Sequence, residues 1–210
     1  MNLASRLLLL GACVASVPSR LPLAAQRLSL AGGASAARVQ SLAPTGVMTE
    51  YTGTVLGGTG QLAVGRVALE LGYWQGSLTP ARDVVEARAL VGVRLGGWLV
   101  LRGGPHVRSY VTRAGTERWV LWQVRVRTEH ALVGPGVRVH AEGWRTVAGE
   151  VNAPQAFDRA QGGEVGLTLR PARGPFWVRL AYGLDDAKLG GEMRRETVEL
   201  VSLGVGIGGR

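Results

Sequence analysis

From Gln61 to the C-terminus, apolar and polar side chains alternate with a period of two over most of the chain. Such alternation is typical of β-strands with two different faces, because successive side chains of a strand point to opposite sides. In the segment 85–95, for example, valine, alanine and leucine fill the odd positions, whereas Glu86, Arg88 and Arg94 stand at even positions. No helical period of 3.6 residues competes in this region. The pattern therefore predicts an all-β fold.

The number of strands follows from the number of alternating segments. Eight segments alternate clearly, and two earlier glycine-rich segments, 27–36 and 48–57, alternate more weakly. We therefore expect about ten strands, with eight or twelve as the alternatives. Short and long connections alternate along the chain. This alternation would place all short turns at one end of the sheet and all long loops at the other. The predicted short turns are 57–60, 95–97, 134–136 and 171–174, and the predicted long loops are 37–47, 77–84, 112–117, 149–161 and 185–195.

Strand length and aromatic position separate a membrane barrel from a soluble sandwich. The predicted strands are about 9–14 residues long, whereas soluble strands average about 5–6 and a transmembrane strand needs about 9–11. Aromatic rings stand near the strand ends, where amphipathic side chains favour the two lipid–water interfaces. The predicted girdles comprise Tyr51, Tyr73, Trp74, Tyr110, Trp119, Trp144 and Tyr182 beside the long loops, and Trp98, Phe176 and Trp177 beside the short turns.

In this arrangement the chain resembles the bacterial outer-membrane β-barrel proteins. The resemblance covers roughly residues 27–210 and lies in the architecture, since no motif of a named subfamily is present. It implies a closed, antiparallel, up-and-down transmembrane barrel with both termini in the periplasm. It also implies outer-membrane lipid and the barrel assembly machinery as partners. In one respect the chain differs: it ends in Gly209 and Arg210, whereas these proteins commonly end in an aromatic residue that the assembly machinery reads.

In a membrane barrel, the charged face of the strands must face the lumen. An arginine or lysine on the lipid face near the midplane costs about 2–4 kcal/mol. We expect the charged side chains to pair across the lumen and to fill it, together with some water and with an excess of arginine. Such a filled lumen excludes a wide channel. It leaves open a narrow path that favours anions. The predicted lumen-lining residues are Arg66, Glu70, Glu86, Arg88, Arg94, Arg102, Arg108, Arg125, Arg127, Glu129, Arg138, Glu142, Glu164, Arg170, Arg179 and Glu199.

The first 26 residues are typical of a secretory signal peptide. A basic start is followed by an apolar run over 7–17, which is too short for a helix of about 20 residues that spans a bilayer. A buried N-terminal helix and a lipoprotein lipobox ending at Cys13 are the alternatives. Cys13 is the only cysteine, so a disulfide framework is excluded. Removal of the leader would lower the formal net charge from +9 to +7.

The sequence contains no motif for a nucleotide, a catalytic metal or a serine nucleophile, so we expect no cofactor, no metal site and no catalytic residue. His106 and His140 fall among the lumen-facing residues, where a hydrogen-bonded histidine is commoner than a catalytic one. The net positive charge does not predict nucleic-acid binding, because the arginines alternate with apolar residues and interleave with glutamates.

We therefore predict a non-enzymatic outer-membrane barrel that acts as a structural protein or as a small or gated pore. One alternative is an outer-membrane barrel enzyme, a protease or a lipid-modifying enzyme. The other is a soluble periplasmic β-barrel that binds a small ligand inside. The oligomeric state stays open.

Overall fold

The computed structural model describes residues 26–112, 115–134, 136–191 and 193–208. The predicted leader, with Cys13, lies outside these residues apart from Gln26, and so do Gly209 and Arg210. Nearly all described residues belong to ten strands: β1 Gln26–Leu42, β2 Met48–Val64, β3 Val67–Thr79, β4 Arg82–Leu95, β5 Leu99–Thr112, β6 Gly115–Val133, β7 Val137–Val151, β8 Phe157–Leu169, β9 Phe176–Leu189 and β10 Arg194–Gly208.

The ten strands form one closed antiparallel barrel. Each strand pairs with its neighbours in the sequence, and β1 pairs with β10 to close the sheet. The β1–β10 seam is paired over fourteen positions, from Ser29 opposite Gly208 to Leu42 opposite Arg195. This closure leaves no strand edge unpaired, which is what a sheet in lipid requires. The structure confirms the predicted all-β, up-and-down barrel.

The connections differ from the prediction, because all of them are short. They span two to six residues at either end of the barrel. The predicted segregation of long loops from short turns was therefore wrong: the strands continue into most of the segments that were predicted to be loops. The turn between β2 and β3 was also misplaced by the prediction. It lies at Gly65 and Arg66, where Gly65 has a φ of +60°, whereas the predicted turn 57–60 lies inside β2.

The two ends of the barrel can be named by their connections. We call the end that holds both termini of the described barrel the terminal end; the connections 65–66, 96–98, 134–136 and 170–175 lie there. The opposite end, with the connections 43–47, 80–81, 113–114, 152–156 and 190–193, is the distal end.

An apolar belt covers the outside of the barrel, beginning at the terminal end and extending toward the distal end. On β9, for example, the outward residues from Phe176 to Leu184 are all apolar or tyrosine, and all are exposed. This length matches the 9–11 residues or so that a tilted strand needs to cross a bilayer. Among the described strands, outward-facing charges occur only beyond this belt, at the distal end: Arg38, Glu50, Asp83, Arg118, Arg145, Glu150, Arg159, Asp186, Lys188, Arg195 and Glu199.

The described part of the chain contains no helix that is long and apolar enough to cross a membrane.

Inside the distal half, large apolar side chains fill the lumen. We call this cluster the distal core. It includes Leu78, Val84, Tyr110, Trp119, Leu121 and Trp144, and Trp119 and Tyr110 are each only 1 % exposed. Further apolar residues of the same cluster come from β1, β2, β8, β9 and β10: Ala37, Val39, Val55, Ala160, Ala187, Leu189 and Val198.

The distal core corrects the predicted aromatic girdles. Tyr73, Phe176 and Tyr182 face outward, and Trp98 is exposed in a terminal-end connection. The other predicted girdle residues follow the inward parity of their strands, so they lie inside the barrel: Tyr51, Trp74, Tyr110, Trp119, Trp144 and Trp177. Proximity to a strand end does not decide which face a ring takes, because adjacent residues of a strand point to opposite faces. Trp122, which the prediction omitted, faces outward and is 52 % exposed.

The interior chamber and its charged wall

Below the distal core, the lumen contains a chamber that is open at the terminal end. Its volume is about 1090 Å³. Residues of the terminal-end connections line its mouth, including Gly65, Arg66, Gly97 and Trp98, and its upper limit lies at Tyr110 and other residues of the distal core. Within the described part of the chain, no residue of a distal-end connection lines it. The chamber is therefore a blind pocket.

One wall of the chamber consists of small residues. The inward positions of β10, β1 and β2 are mostly glycine, alanine and serine, such as Gly33, Ser35, Gly57 and Gly204. These side chains occupy little of the lumen, so open space remains along this side. Gly33 is packed so closely that an added Cβ would meet the backbone of Leu203 and Gly204.

The opposite wall carries a network of buried ion pairs, which begins at Glu142. One oxygen of Glu142 accepts a hydrogen bond from Arg125 at 2.8 Å, and the other lies 3.2 Å from Arg102 and 3.7 Å from Arg127. Arg102 also lies 3.3 Å from Glu70, which in turn pairs with Arg88 at 2.7 Å. Arg102 on β5 thus links a carboxylate on β3 with one on β7, across the lumen.

Both inward histidines belong to the same charged wall. His140 contacts Glu164 at 3.0 Å, and Arg179 also pairs with this carboxylate. His106 lies 3.0 Å from the side-chain amide of Gln123 and 3.5 Å from Glu86. The third histidine, His130, is exposed at the terminal end and stacks on Trp98 with a centroid distance of 5.7 Å. Each histidine therefore has a structural partner.

A second group of charges lies among the aromatic rings of the distal core. Arg82 pairs with Glu196 at 2.8 Å, with both side chains at most 5 % exposed, and its guanidinium lies 3.4 Å from the ring centre of Tyr110. The hydroxyl of Tyr110 donates a hydrogen bond to Glu196. Nearby, Arg194 donates to both oxygens of Glu117 at 2.8 and 2.9 Å.

Sequence reasoning missed this distal group of ion pairs. Arg82, Glu117 and Arg194 stood in segments that were predicted to be loops, so their parity was not used. The alternation of the neighbouring strands, continued by a few residues, would have placed them inside the barrel.

The structure brings nearly all predicted lumen residues together. Arg66 and Arg170 stand at the mouth of the chamber, just outside β3 and β8. These others follow the inward parity: Glu70, Glu86, Arg88, Arg94, Arg102, Arg108, Arg125, Arg127, Glu129, Arg138, Glu142, Glu164 and Arg179.

Glu199 is the exception, and it corrects the prediction. It shares the parity of Val201 and Leu203, so it faces outward. There it lies 3.8 Å from Arg38, which pairs with Glu50 at 2.7 Å. All three are beyond the apolar belt, where an outward charge meets a polar environment.

We compared the chain with protein-family models, curated proteins and solved structures. No family model and no curated protein matches it. The outer-membrane protease OmpT from Escherichia coli shares its architecture with a TM-score of 0.59 and 7 % identity, covering 91 % of this chain and 99 % of OmpT. The chain has the fold of a bacterial outer-membrane β-barrel protein.

Two further solved structures match with lower TM-scores. The translocator domain of the autotransporter NalP from Neisseria meningitidis has 13 % identity and a TM-score of 0.47, covering 97 % of this chain and 96 % of that domain. The COG4313 outer membrane channel from Pseudomonas putida F1 has 12 % identity and a TM-score of 0.48, covering 92 % and 99 %. At 7 % identity the comparison with OmpT establishes the fold alone, and no enzyme assignment is supported.

The described residues contain no group of three or more His, Cys, Asp or Glu side chains that could hold a metal ion. What the chamber offers instead is a dense array of arginine donors around fewer carboxylates. Such an array can bind and orient oxyanions, because the planar guanidinium presents several fixed N–H donors to two oxygens at once.

Proposed function

We propose that this protein is a non-enzymatic outer-membrane barrel with a lumen closed toward the outside and a chamber open to the periplasm. The observation that carries the proposal is the distal core, which fills the lumen above the chamber. Buried residues such as Tyr110, Trp119 and Leu121, at most 3 % exposed, stand between the chamber and the distal end.

The outer surface supports a position in the membrane with lipid as the immediate partner. Apolar side chains cover the belt, and the outward charges of the described strands stand beyond it. With the termini in the periplasm, as in the proteins that the chain resembles, the chamber opens to the periplasm. The barrel assembly machinery would then insert the chain from that side.

The interior supports a role without catalysis. His106 and His140 are both held in contacts with glutamates inside the charged wall. A catalytic base must be able to reach its substrate's proton, and these rings are 4 % and 2 % exposed.

A gated pore is the second candidate, because the chamber already extends through the lumen as far as the distal core. Conduction would require the core to open, together with the Arg82–Glu196 and Arg194–Glu117 pairs. The closed state and the pore differ in one measurable property, the ion current through a single barrel.

Conductance in planar bilayers tests the proposal. We expect the folded protein to be silent, whereas the Trp119→Ala/Leu121→Ala variant passes current because the distal core is thinned. Trp122→Ala is the matched control, since it removes an indole that faces outward, and it should stay silent. Steady current through the unchanged protein would overturn the closed barrel in favour of the pore.

Heat-modifiable gel migration of the detergent-extracted protein tests the membrane assignment. A folded membrane barrel migrates differently before and after boiling. A chain that stays soluble without detergent would instead support the alternative of a soluble periplasmic barrel.

A further inference from the structure

The chamber has a large excess of positive charge. Ten arginines and five glutamates line it, which leaves five positive charges without a matching carboxylate on its wall. Because the chamber is enclosed by the sheet, these charges are screened less than charges on an open surface. The excess therefore attracts anions into the chamber.

The unmatched charge is concentrated at the mouth. Arg66 stands one residue before β3 and is a neighbour of Arg94 on β4, since the backbone N–H of Arg94 donates to the carbonyl of Arg66 at 2.8 Å. Like charges in such positions repel each other. Within the part of the chain that the structure describes, neither side chain forms an ion pair, and both line the chamber.

Deeper in the chamber, two arginines keep donors that the protein does not use. The buried Nε atoms of Arg88 and Arg179 have no hydrogen-bond partner within the described residues. A buried donor without a partner costs about 1–3 kcal/mol, so an acceptor that reached these atoms would be bound favourably.

The chamber also has the room that a ligand needs. Its volume of about 1090 Å³ lies just above the range of about 300–1,000 Å³ that is usual for small-molecule sites. The small residues of β10, β1 and β2 keep one side free, while the arginines reach in from the other.

From these observations we propose that the chamber binds a compact anion with several oxyanion groups, such as a phosphate ester or a polycarboxylate, which enters from the terminal end. Arg66 and Arg94 form the entrance clamp. The bound anion neutralises their repulsion and accepts hydrogen bonds from the two guanidinium groups. Phosphate and carboxylate share this chemistry, so the two sources are separated by experiment.

Isothermal titration calorimetry on the detergent-folded full chain tests this site at constant ionic strength. Tripolyphosphate and citrate are the two probes, and saturable binding of at least one is expected. Binding of tripolyphosphate alone assigns the site to phosphate groups, and binding of citrate alone assigns it to carboxylates.

Two paired variants make the test specific. Arg66→Gln/Arg94→Gln should weaken binding at least tenfold. Arg118→Gln/Arg145→Gln removes the same charge from the outer surface of the distal end and should leave the affinity unchanged. Arg66→Lys/Arg94→Lys, which keeps the charge but not the planar fork, should fall between the wild type and the glutamine pair.

Absence of saturable binding by either probe would overturn the site. Equal weakening in both glutamine pairs would also overturn it, because attraction by the net charge alone would then explain the binding. Gel migration measured on each sample shows that the barrel is folded. The calorimetric result is independent of the conductance measurement, so the anion site and the closed lumen can fail separately.

Discussion

At the scale of single residues, the charged wall depends on a few carboxylates that each serve several arginines. Glu142 is the clearest case, because Arg102, Arg125 and Arg127 all lie within 3.7 Å of it and the glutamate is only 8 % exposed. Desolvation makes such a site costly unless every charge has a partner. Removal of the shared carboxylate therefore affects three cations at once.

Glu142→Gln should destabilise the barrel by about 3–5 kcal/mol, the usual cost of leaving a buried charge without its partner. Urea unfolding of the protein in lipid vesicles measures the change. Glu150→Gln is the matched control, since Glu150 faces outward at the distal end and is exposed; an exposed change of this kind alters stability by about 0.5 kcal/mol at most. A Glu142 variant as stable as the Glu150 variant would show that water or bound ions already screen the arginines around Glu142.

The parity of a residue along its strand predicts the direction of some side chains but not of others. The inward direction of Arg88 or Arg125 follows from its own strand, because both neighbours in the sequence are apolar. Glu199 was misassigned even though it shares the parity of Val201. The aromatic rings of the distal core are harder, since an inward tryptophan near a strand end looks the same in sequence as an outward one at the lipid interface.

At the scale of elements, the strands extend further than the sequence suggested. The run 57–60 reads as a turn, yet it lies inside β2 and pairs with β1 and β3. The folded sheet shows why a glycine is required at position 57: a Cβ at Gly57 would overlap the indole of Trp74 on the next strand. Such a requirement joins residues that are distant along the chain, so a local pattern cannot show it.

The outer face of β10 supplies a test of where the membrane ends. Leu203 lies in the apolar belt, and Thr197 faces the same way beyond it, opposite Asp186. Leu203→Arg should cost about 2–4 kcal/mol, whereas Thr197→Arg should cost about 0–1 kcal/mol, because the penalty falls from the bilayer midplane to the interface.

Urea unfolding in vesicles compares the two arginine variants, with Leu203→Ala as the control for lost side-chain volume. Equal costs at the two positions would mean that the apolar belt does not mark the bilayer, and the membrane assignment of β10 would fall.

At the scale of the whole molecule, the interior is asymmetric along its axis. The distal half is closed by the distal core, and the terminal half contains the open, arginine-rich chamber. Binary patterning predicted the charged lumen but not this division, because the pattern records which face a residue takes and not its height in the barrel. The height depends on strand register, which the pairing of all ten strands sets together.

The orientation of the barrel in the membrane decides which compartment the chamber opens to. In a Cys13→Ser background, Ala172→Cys places a thiol in the exposed connection at the terminal end, and Thr45→Cys places one in an exposed connection at the distal end. A bulky maleimide that cannot cross the outer membrane should label Thr45→Cys in intact cells. It should label Ala172→Cys only after the outer membrane is permeabilised, because the proposed orientation places the terminal end in the periplasm, and the background without either cysteine should stay unlabelled. The reverse pattern would place the chamber toward the outside of the cell, and its anion would then have to come from the medium rather than from the periplasm.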